Sequence, residues 1–218
     1  MVSFSKIESA KHIVIECTND TVCNGSALYT YILTLHKKVS FVQLEAIDRK
    51  FSFLPWYDKL RKNVPSSADY TVRLTKDSLY KSFCIHNIKI NKKMATSLYA
   101  GYLREFRKLV YSNLDGTFFA CMSELIALGA EYKSCRESLL LSDSLSSFRL
   151  KAFMFHSMQL IENATTALFV LRESDLQASG ATLDDAIEIS KEALMIVHVQ
   201  KVCLYDEQNK LIYMQEEI

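Results

Sequence analysis

A compact apolar run, His12-Ile13-Val14-Ile15, sits just ahead of a polar stretch at 18–24, and a second apolar run follows at 39–42. Between them Gly25-Ser26 opens an apolar helical pattern over 27–35, with Asn24 or Ser26 available as its cap. Short continuous runs of this kind suit strands buried on both faces. Strand, loop, helix and strand within about 30 residues make a βαβ unit, whose strands lie parallel in a helix-covered sheet. This feature commits the chain to the α/β class, with a parallel sheet flanked by helices.

The rest of the chain is consistent with that class. Five glycines and two prolines are few breaks for 218 residues, so helices with short connections are expected. A short amphipathic helix is read at 3–10, an alternating strand at 69–74, and helices at 92–107 and 118–128, the latter stopped by Gly129. Another long helical stretch is read at 139–161. The pattern then changes. A strand at 166–171 precedes a helix opened by Thr182, with Asp185 three residues on as a carboxylate capping box. Strands at 197–205 and 211–214, joined by a polar turn, complete a small α+β unit. The expected division is 1–162 for the α/β domain and 163–218 for the second unit.

Composition removes several classes. At 49% hydrophobic and 23% charged residues, the chain has the make-up of a folded globular protein rather than a disordered one. A net charge of +1 gives no general attraction to nucleic acid or anionic membrane, so such binding would need a local patch. Cys17, Cys23, Cys84, Cys121, Cys135 and Cys203 form no C-x-x-C pair and stand mostly among apolar neighbours. Free, mostly buried thiols in a reducing compartment are expected. No apolar run is long enough to span a bilayer, and residues 1–11 have no signal-peptide core, so cytoplasmic residence is expected.

The loop after the first strand carries a family resemblance. It reads Glu16-Cys17-Thr18-Asn19-Asp20-Thr21-Val22-Cys23-Asn24-Gly25-Ser26-Ala27-Leu28. This resembles the opening of the DHH phosphoesterases, among them RecJ-like nucleases and the bifunctional oligoribonuclease/PAP phosphatases. Those proteins have a strand, a His-x-x-x-Asp-x-Asp loop and a Gly-Ser that starts a helix. On that frame Asp20 matches the first aspartate, Glu16 stands at the histidine position and Val22 at the second aspartate. Phe51-Ser52-Phe53-Leu54-Pro55 and the strand at 69–74 are similar to the segment around the family's second metal-ligand strand, with the expected aspartate falling near Thr75. The helix beginning Ile90-Asn91-Lys92 resembles the one before the fourth motif, and Glu105 stands where the family has an aspartate. Leu125-Ile126-Ala127-Leu128-Gly129-Ala130 is similar to a family helix end. Residues 178–185 resemble the entry to the DHH-associated C-terminal domain.

The resemblance covers nearly the whole chain, and every motif in it is imperfect. No Asp-His-His occurs, and its place near 75–81 reads as a deletion. The Gly-Gly-Gly-His substrate motif is also missing, so 163–218 is expected to be a truncated remnant of the associated domain.

In the family, clustered Asp and His side chains hold two Mn²⁺ or Mg²⁺ ions that orient the phosphate and activate a bridging water. Glu16, Asp20 and Glu105 are therefore the candidate catalytic residues, Glu16 and Asp20 the candidate metal ligands, and Gly25 and Ser26 the candidate phosphate-binding pair at a helix start. Three carboxylates are too few for a two-metal site. A polar loop at a strand's carboxyl end also carries such residues as solvated side chains or helix caps. The expectation is a metal-free crevice and no cofactor, with Mn or Mg entering only if an active site survives. Residues 102–107 put bulky and basic side chains where the family has small and acidic ones, which the resemblance reads as filling of the old site.

The other candidates are weaker. His12, His36, His86, His156 and His198 lack metal-ligand spacing. His156, among Phe153, Phe155 and Met158, reads as a core or interface histidine, and Cys23 as a small buried hydrophobe. Lys59, Arg61, Lys62, Arg104, Arg107 and Lys108, interleaved with Tyr57, Tyr99, Tyr102 and Tyr111, form a candidate nucleotide or phosphate patch, with solvated surface charge as the commoner alternative.

The expected function is that of a pseudoenzyme, a non-catalytic DHH-like protein that binds a partner protein or self-associates, a homodimer included. Two alternatives stay open. One is a divergent metal-dependent phosphoesterase acting on small nucleotides or short oligonucleotides. The other is a nucleotide-binding sensor without hydrolysis. Fold alone does not choose among them, because function lives in the site.

Overall fold

The computed structural model of the chain describes residues 2–75, 79–108, 115–141 and 143–216, the side chains of 107 and 108 excepted. They fall into two compact units, Met1–Ser142 and Asp143–Ile218.

The first unit runs α1 (Phe4–Ser9), β1 (His12–Cys17), α2 (Val22–Thr34), β2 (Lys38–Gln43), β3 (Leu60–Arg61), β4 (Tyr70–Arg73), α3 (Leu79–Ile85), α4 (Lys92–Lys108), α5 (Gly116–Ala127) and α6 (Tyr132–Leu139). Its sheet has the order β3-β2-β1-β4, with every pair parallel. All six residues of β1 are buried, as its continuous apolar run requires of a central strand. The amino end of β1 is pinned by polar groups. Asp69 Oδ2 accepts the backbone N–H groups of Lys11 and His12 at 2.9 and 2.8 Å. The buried His12 ring bonds Ser67 O and Ser40 Oγ, each at 3.0 Å. His12 is thus a satisfied core histidine at the opposite end of the strand from the loop of interest.

Helix α2 starts earlier than the sequence pattern indicates. Thr18 N–H donates to Thr21 Oγ1 at 3.0 Å, and this turn launches the helix at Val22 with Thr21 as its N-cap residue. Gly25 and Ser26 therefore lie inside the helix, and Gly25 N–H is already bonded to Thr21 O at 2.8 Å. α2 packs on α4 and on the sheet. Ile13, Ile15, Leu28, Ile32, Phe41, Met94 and Leu98 fill this core with exposures of 2% or less.

The long helical stretch read at 139–161 is broken in the structure. α6 ends at Leu139, α7 (Leu145–Ser157) begins where Ser144 Oγ accepts Ser147 N–H at 3.0 Å, and β5 spans Gln159–Ile161. Ser144 is a favourable N-cap, and such a cap starts a new helix rather than continuing an old one. α7 packs on α8 (Glu173–Ser179), α9 (Leu183–Lys191) and β6 (Thr166–Leu171), so the units divide after Ser142 rather than at the expected 162/163. β7 (Lys201–Asp206) and β8 (Leu211–Glu216) complete a sheet of order β5-β6-β7-β8. Only its central β6–β7 pair is parallel.

The Thr182 capping box forms as read, with Thr182 Oγ1 accepting Asp185 N–H at 3.2 Å and Asp185 Oδ2 accepting Thr182 N–H at 2.8 Å. Gly129 leaves α5 at φ 89°, a left-handed conformation that favours glycine. The strand expected from 197 begins only at Lys201, because a 3₁₀ turn at Glu192–Met195 and the positive φ of His198 intervene. His156 is exposed, not in a core; Leu150 and Met154 are the buried residues of α7. No helix among the described residues is long and apolar enough to cross a membrane.

Candidate functional site

In an open parallel sheet, ligands collect beyond the carboxyl ends of the strands. Here that region is built from the end of β1, the 18–21 loop, the loop after β2 and the end of β4. Asn19 ties the first two loops together. Its backbone N–H and Nδ2 donate to Glu45 Oε1 at 2.6 and 3.0 Å, Nδ2 also donates to Ala46 O at 3.0 Å, and its Oδ1 accepts Asp48 N–H at 2.8 Å.

Each candidate carboxylate faces an arginine. Glu16, 7% exposed near the end of β1, stands opposite Arg73 in the β1–β4 ladder and accepts from its Nε at 2.7 Å. Arg104 reaches in from α4, where Gly101, one turn earlier, packs against Cys23. Its Nη2 donates to Glu105 Oε1 at 2.9 Å, its Nη1 lies 3.6 Å from Asp20 Oδ1, and Nη1 also donates to the backbone carbonyl of Asn19. The Arg104 side chain is only 12% exposed, and its buried Nε has no hydrogen-bond partner among the described residues. Burying a charge is favourable only when it is paired. The two guanidinium groups therefore set the electrostatics of this crevice.

This arrangement does not fit a two-metal centre. Hard divalent ions need several oxygens converging on one point with the negative charge uncompensated. Here the donors are divided between two arginines, and among the described residues no group of three His, Cys, Asp or Glu side chains is placed to hold a metal. The region near 75–81, where a deletion is expected, is partly outside the described residues, which resume at Leu79.

Gly25 and Ser26 are not a phosphate cradle. Ser26 is fully buried in the second turn of α2, its Oγ donates to Pro55 O at 2.6 Å, and it lies 2.8 Å from Ser97 Oγ. A Cβ at Gly25 would fall 2.7 Å from the ring of Phe41. Both lie inside α2 and pack in its core, and the Gly25 amide is bonded to Thr21 O.

The candidate basic patch is also dispersed. Lys59, Arg61 and Lys62 are exposed on one local segment, whereas Arg104 is engaged in the crevice. Tyr99 is buried, Tyr57 Oη donates to Ile47 O at 3.1 Å, and Tyr102 packs edge-on against Tyr80 and Phe118. These rings are engaged in the protein's own packing rather than presented as a stacking platform for bases. The side chains of Arg107 and Lys108, and Tyr111, lie outside the described residues.

The thiols beside the crevice are inert. Burial pushes Cys17 up to about 12, helped by the Glu45 carboxylate, and burial pushes Cys23 up to about 12 against the opposing charge of Arg104. Cys135 is likewise raised to about 12, chiefly by burial, and Cys203 is raised for the same reason. A buried, protonated thiol is a poor nucleophile. All six cysteines are free, with Cys84 exposed and Cys121 half-buried. At pH 8 Ellman's reagent is expected to label Cys84 quickly and Cys121 slowly, the other four only after unfolding. Prompt labelling of more than two thiols would contradict this assignment.

Arg73 and the tie made by Asn19 are what sequence reasoning passed over, and Arg104, read as part of a basic patch and of the filling at 102–107, is placed instead against Asn19, Asp20 and Glu105. The signal for the two arginines was a reversal of charge, a basic residue at or beside a position where the resembling family carries an acid.

No protein-family model matches the chain, and no curated protein matches it. Among solved structures, an exopolyphosphatase-related protein from Bacteroides fragilis superposes with a TM-score of 0.76 at 15% identity, over 94% of this chain and 78% of that one. A Methanococcus jannaschii protein assigned to the family II inorganic pyrophosphatases covers 89% of this chain and 82% of its own at 7% identity, but its TM-score of 0.32 carries no argument. The likeness to the first of these is one of fold, an α/β architecture that in this chain has a parallel four-stranded sheet flanked by helices and a second, mixed sheet.

Proposed function

We propose that the chain is a non-catalytic relative of the DHH phosphoesterases that acts by binding, to a partner protein or to a second copy of itself. One observation carries this reading: all three carboxylates at the metal-ligand positions, Glu16, Asp20 and Glu105, stand beside arginine guanidinium groups. A cation held in the fold neutralises the charge that a catalytic ion would need, and it cannot lower the pKa of a bound water as a divalent metal does. Ser26, which stands where the family's phosphate-facing helix start would be, is sealed in the core.

The test is hydrolysis with Mn²⁺ of a short oligoribonucleotide, of 3′-phosphoadenosine 5′-phosphate and of inorganic polyphosphate, by the wild type and by a Glu16→Ala/Asp20→Ala double variant. No turnover by either protein is the expected result. Turnover that the double variant abolishes would overturn the reading and make these carboxylates a rebuilt metal site.

A further inference from the structure

Outside the crevice two features stand out. An apolar recess on the second unit is lined by Phe148, Phe155, Met195 and Ile196, and nothing in the structure specifies what would cover it. The bond between Tyr80 Oη and the Glu124 carboxylate, beside the exposed Cys84, joins packing groups with no ligand in view. The crevice offers more, because a charged group is seated in a ring of oxygens that would suit a different cation.

We propose that Arg104 is the resident cation of this chain, closing from within an oxygen cradle that a hydrated divalent ion would otherwise enter. This deepens the non-catalytic reading and rests on it. Three oxygens surround the one guanidinium: the backbone carbonyl of Asn19, Asp20 Oδ1 at 3.6 Å and Glu105 Oε1 at 2.9 Å. The set is all oxygen and carries two carboxylates, the chemistry hard divalent ions select.

The guanidinium differs from a metal ion. It is covalently part of the chain, and it cannot dissociate. The crevice therefore has a fixed charge whatever the metal supply. The arginine is also not incidental packing. Its buried Nε has no partner among the described residues, an unfavourable arrangement that the contacts of its two terminal nitrogens offset. The Nη1 contacts with Asn19 O and Asp20 bind the 18–21 loop to α4, while Nη2 is held by Glu105 of the same helix, and Asn19 extends the hold to the loop after β2 through Glu45 and Ala46. Arg104 thus acts as a positioning residue, holding the 18–21 loop against α4.

Mn²⁺ binding read from the electron-paramagnetic resonance signal of the free ion tests this directly. Wild type and Arg104→Lys are expected to leave the signal of about 1 mM Mn²⁺ intact, and Arg104→Ala to deplete it, with affinity raised at least about tenfold toward that of a weak carboxylate site. Adding Asp20→Asn and Glu105→Gln to Arg104→Ala should abolish the gain. A folded Arg104→Ala protein that binds no better than wild type overturns the proposal, as does a gain that survives in the triple variant.

If Arg104→Ala does not fold, Arg104→Gln takes its place in the same titration. Hydrogen exchange supplies a second readout. Arg104→Ala, which removes the donor to the Asn19 carbonyl, should speed amide exchange at 18–21 by about tenfold, because the loop loses its anchor to α4. Unchanged protection overturns the proposal. Wild-type protein that binds Mn²⁺ and hydrolyses a phosphoester defeats the non-catalytic reading. Inert wild type with an equally inert Arg104→Ala variant defeats this inference alone.

Discussion

Gly25→Val is expected to destabilise the first unit by about 3 kcal/mol, with no contribution from any ligand. The reason is geometric. A Cβ at this position would lie 2.7 Å from Phe41 Cε2 and 3.0 Å from Cζ, with Cys17 Cβ at 3.5 Å on the other side. Phe41 is 1% exposed and its ring packs on Tyr29, so it has little room to give way. The added methyls of valine press further into the same space. Relief from replacing a helical glycine recovers only about 0.5 kcal/mol for a β-branched residue, so overpacking wins. Gly101→Ala is the control. Its Cβ would meet Cys23 Cβ at 3.5 Å, an ordinary contact, so the helical gain of about 0.5–1 kcal/mol should appear as neutral to mildly stabilising. Urea unfolding of both variants measures the contrast. Equal effects at the two glycines would show that the α2–β2 packing is looser than the structure has it.

Arg73→Ala is expected to cost about 2 kcal/mol, more than Glu16→Gln, which should stay within about 1 kcal/mol. The Glu16 side chain is 8% exposed, while Arg73 is 83% exposed and bonds it through Nε alone. Removing the arginine strands a carboxylate at a buried strand end, which in a fully buried pair costs about 3–5 kcal/mol. Because the arginine itself lies in solvent, water screens the pair and the lower figure applies. Removing the charge from Glu16 instead leaves a neutral amide that can still bond, and an exposed Arg73 that water solvates. Adding Glu16→Gln to Arg73→Ala should therefore restore most of the loss. A double variant as unstable as the sum of the two singles would show that the pair does not couple.

The elements that depend on local chemistry could be read along the chain. The run at 12–15 predicts a buried strand, and β1 is buried along its whole length. Thr182 with Asp185 and the left-handed Gly129 mark helix ends by side-chain and backbone preferences that act within a few residues. The start of α2 was misread because two caps competed. Asn24 and Ser26 looked suitable, but the Thr18–Thr21 turn nucleated the helix a turn sooner. The stretch at 139–161 was misread because apolar periodicity does not show that Ser144 caps a new helix there.

That Glu16 and Asp20 fall at the carboxyl end of the first strand was likewise legible, since the loop after a parallel strand is where a ligand site would fall. What they do was not. Arg73 meets Glu16 across 57 residues of sequence, and Arg104 meets the Asn19 carbonyl across 85. Whether a carboxylate coordinates a metal, caps a helix or pairs with a guanidinium depends on which charge tertiary packing sets beside it. Spacing along the chain encodes which face a residue occupies, and so it determined the α/β class and the strand-end loop. Only the packing of α4 on α2, and of β4 on β1, decided that arginines would stand against those acids.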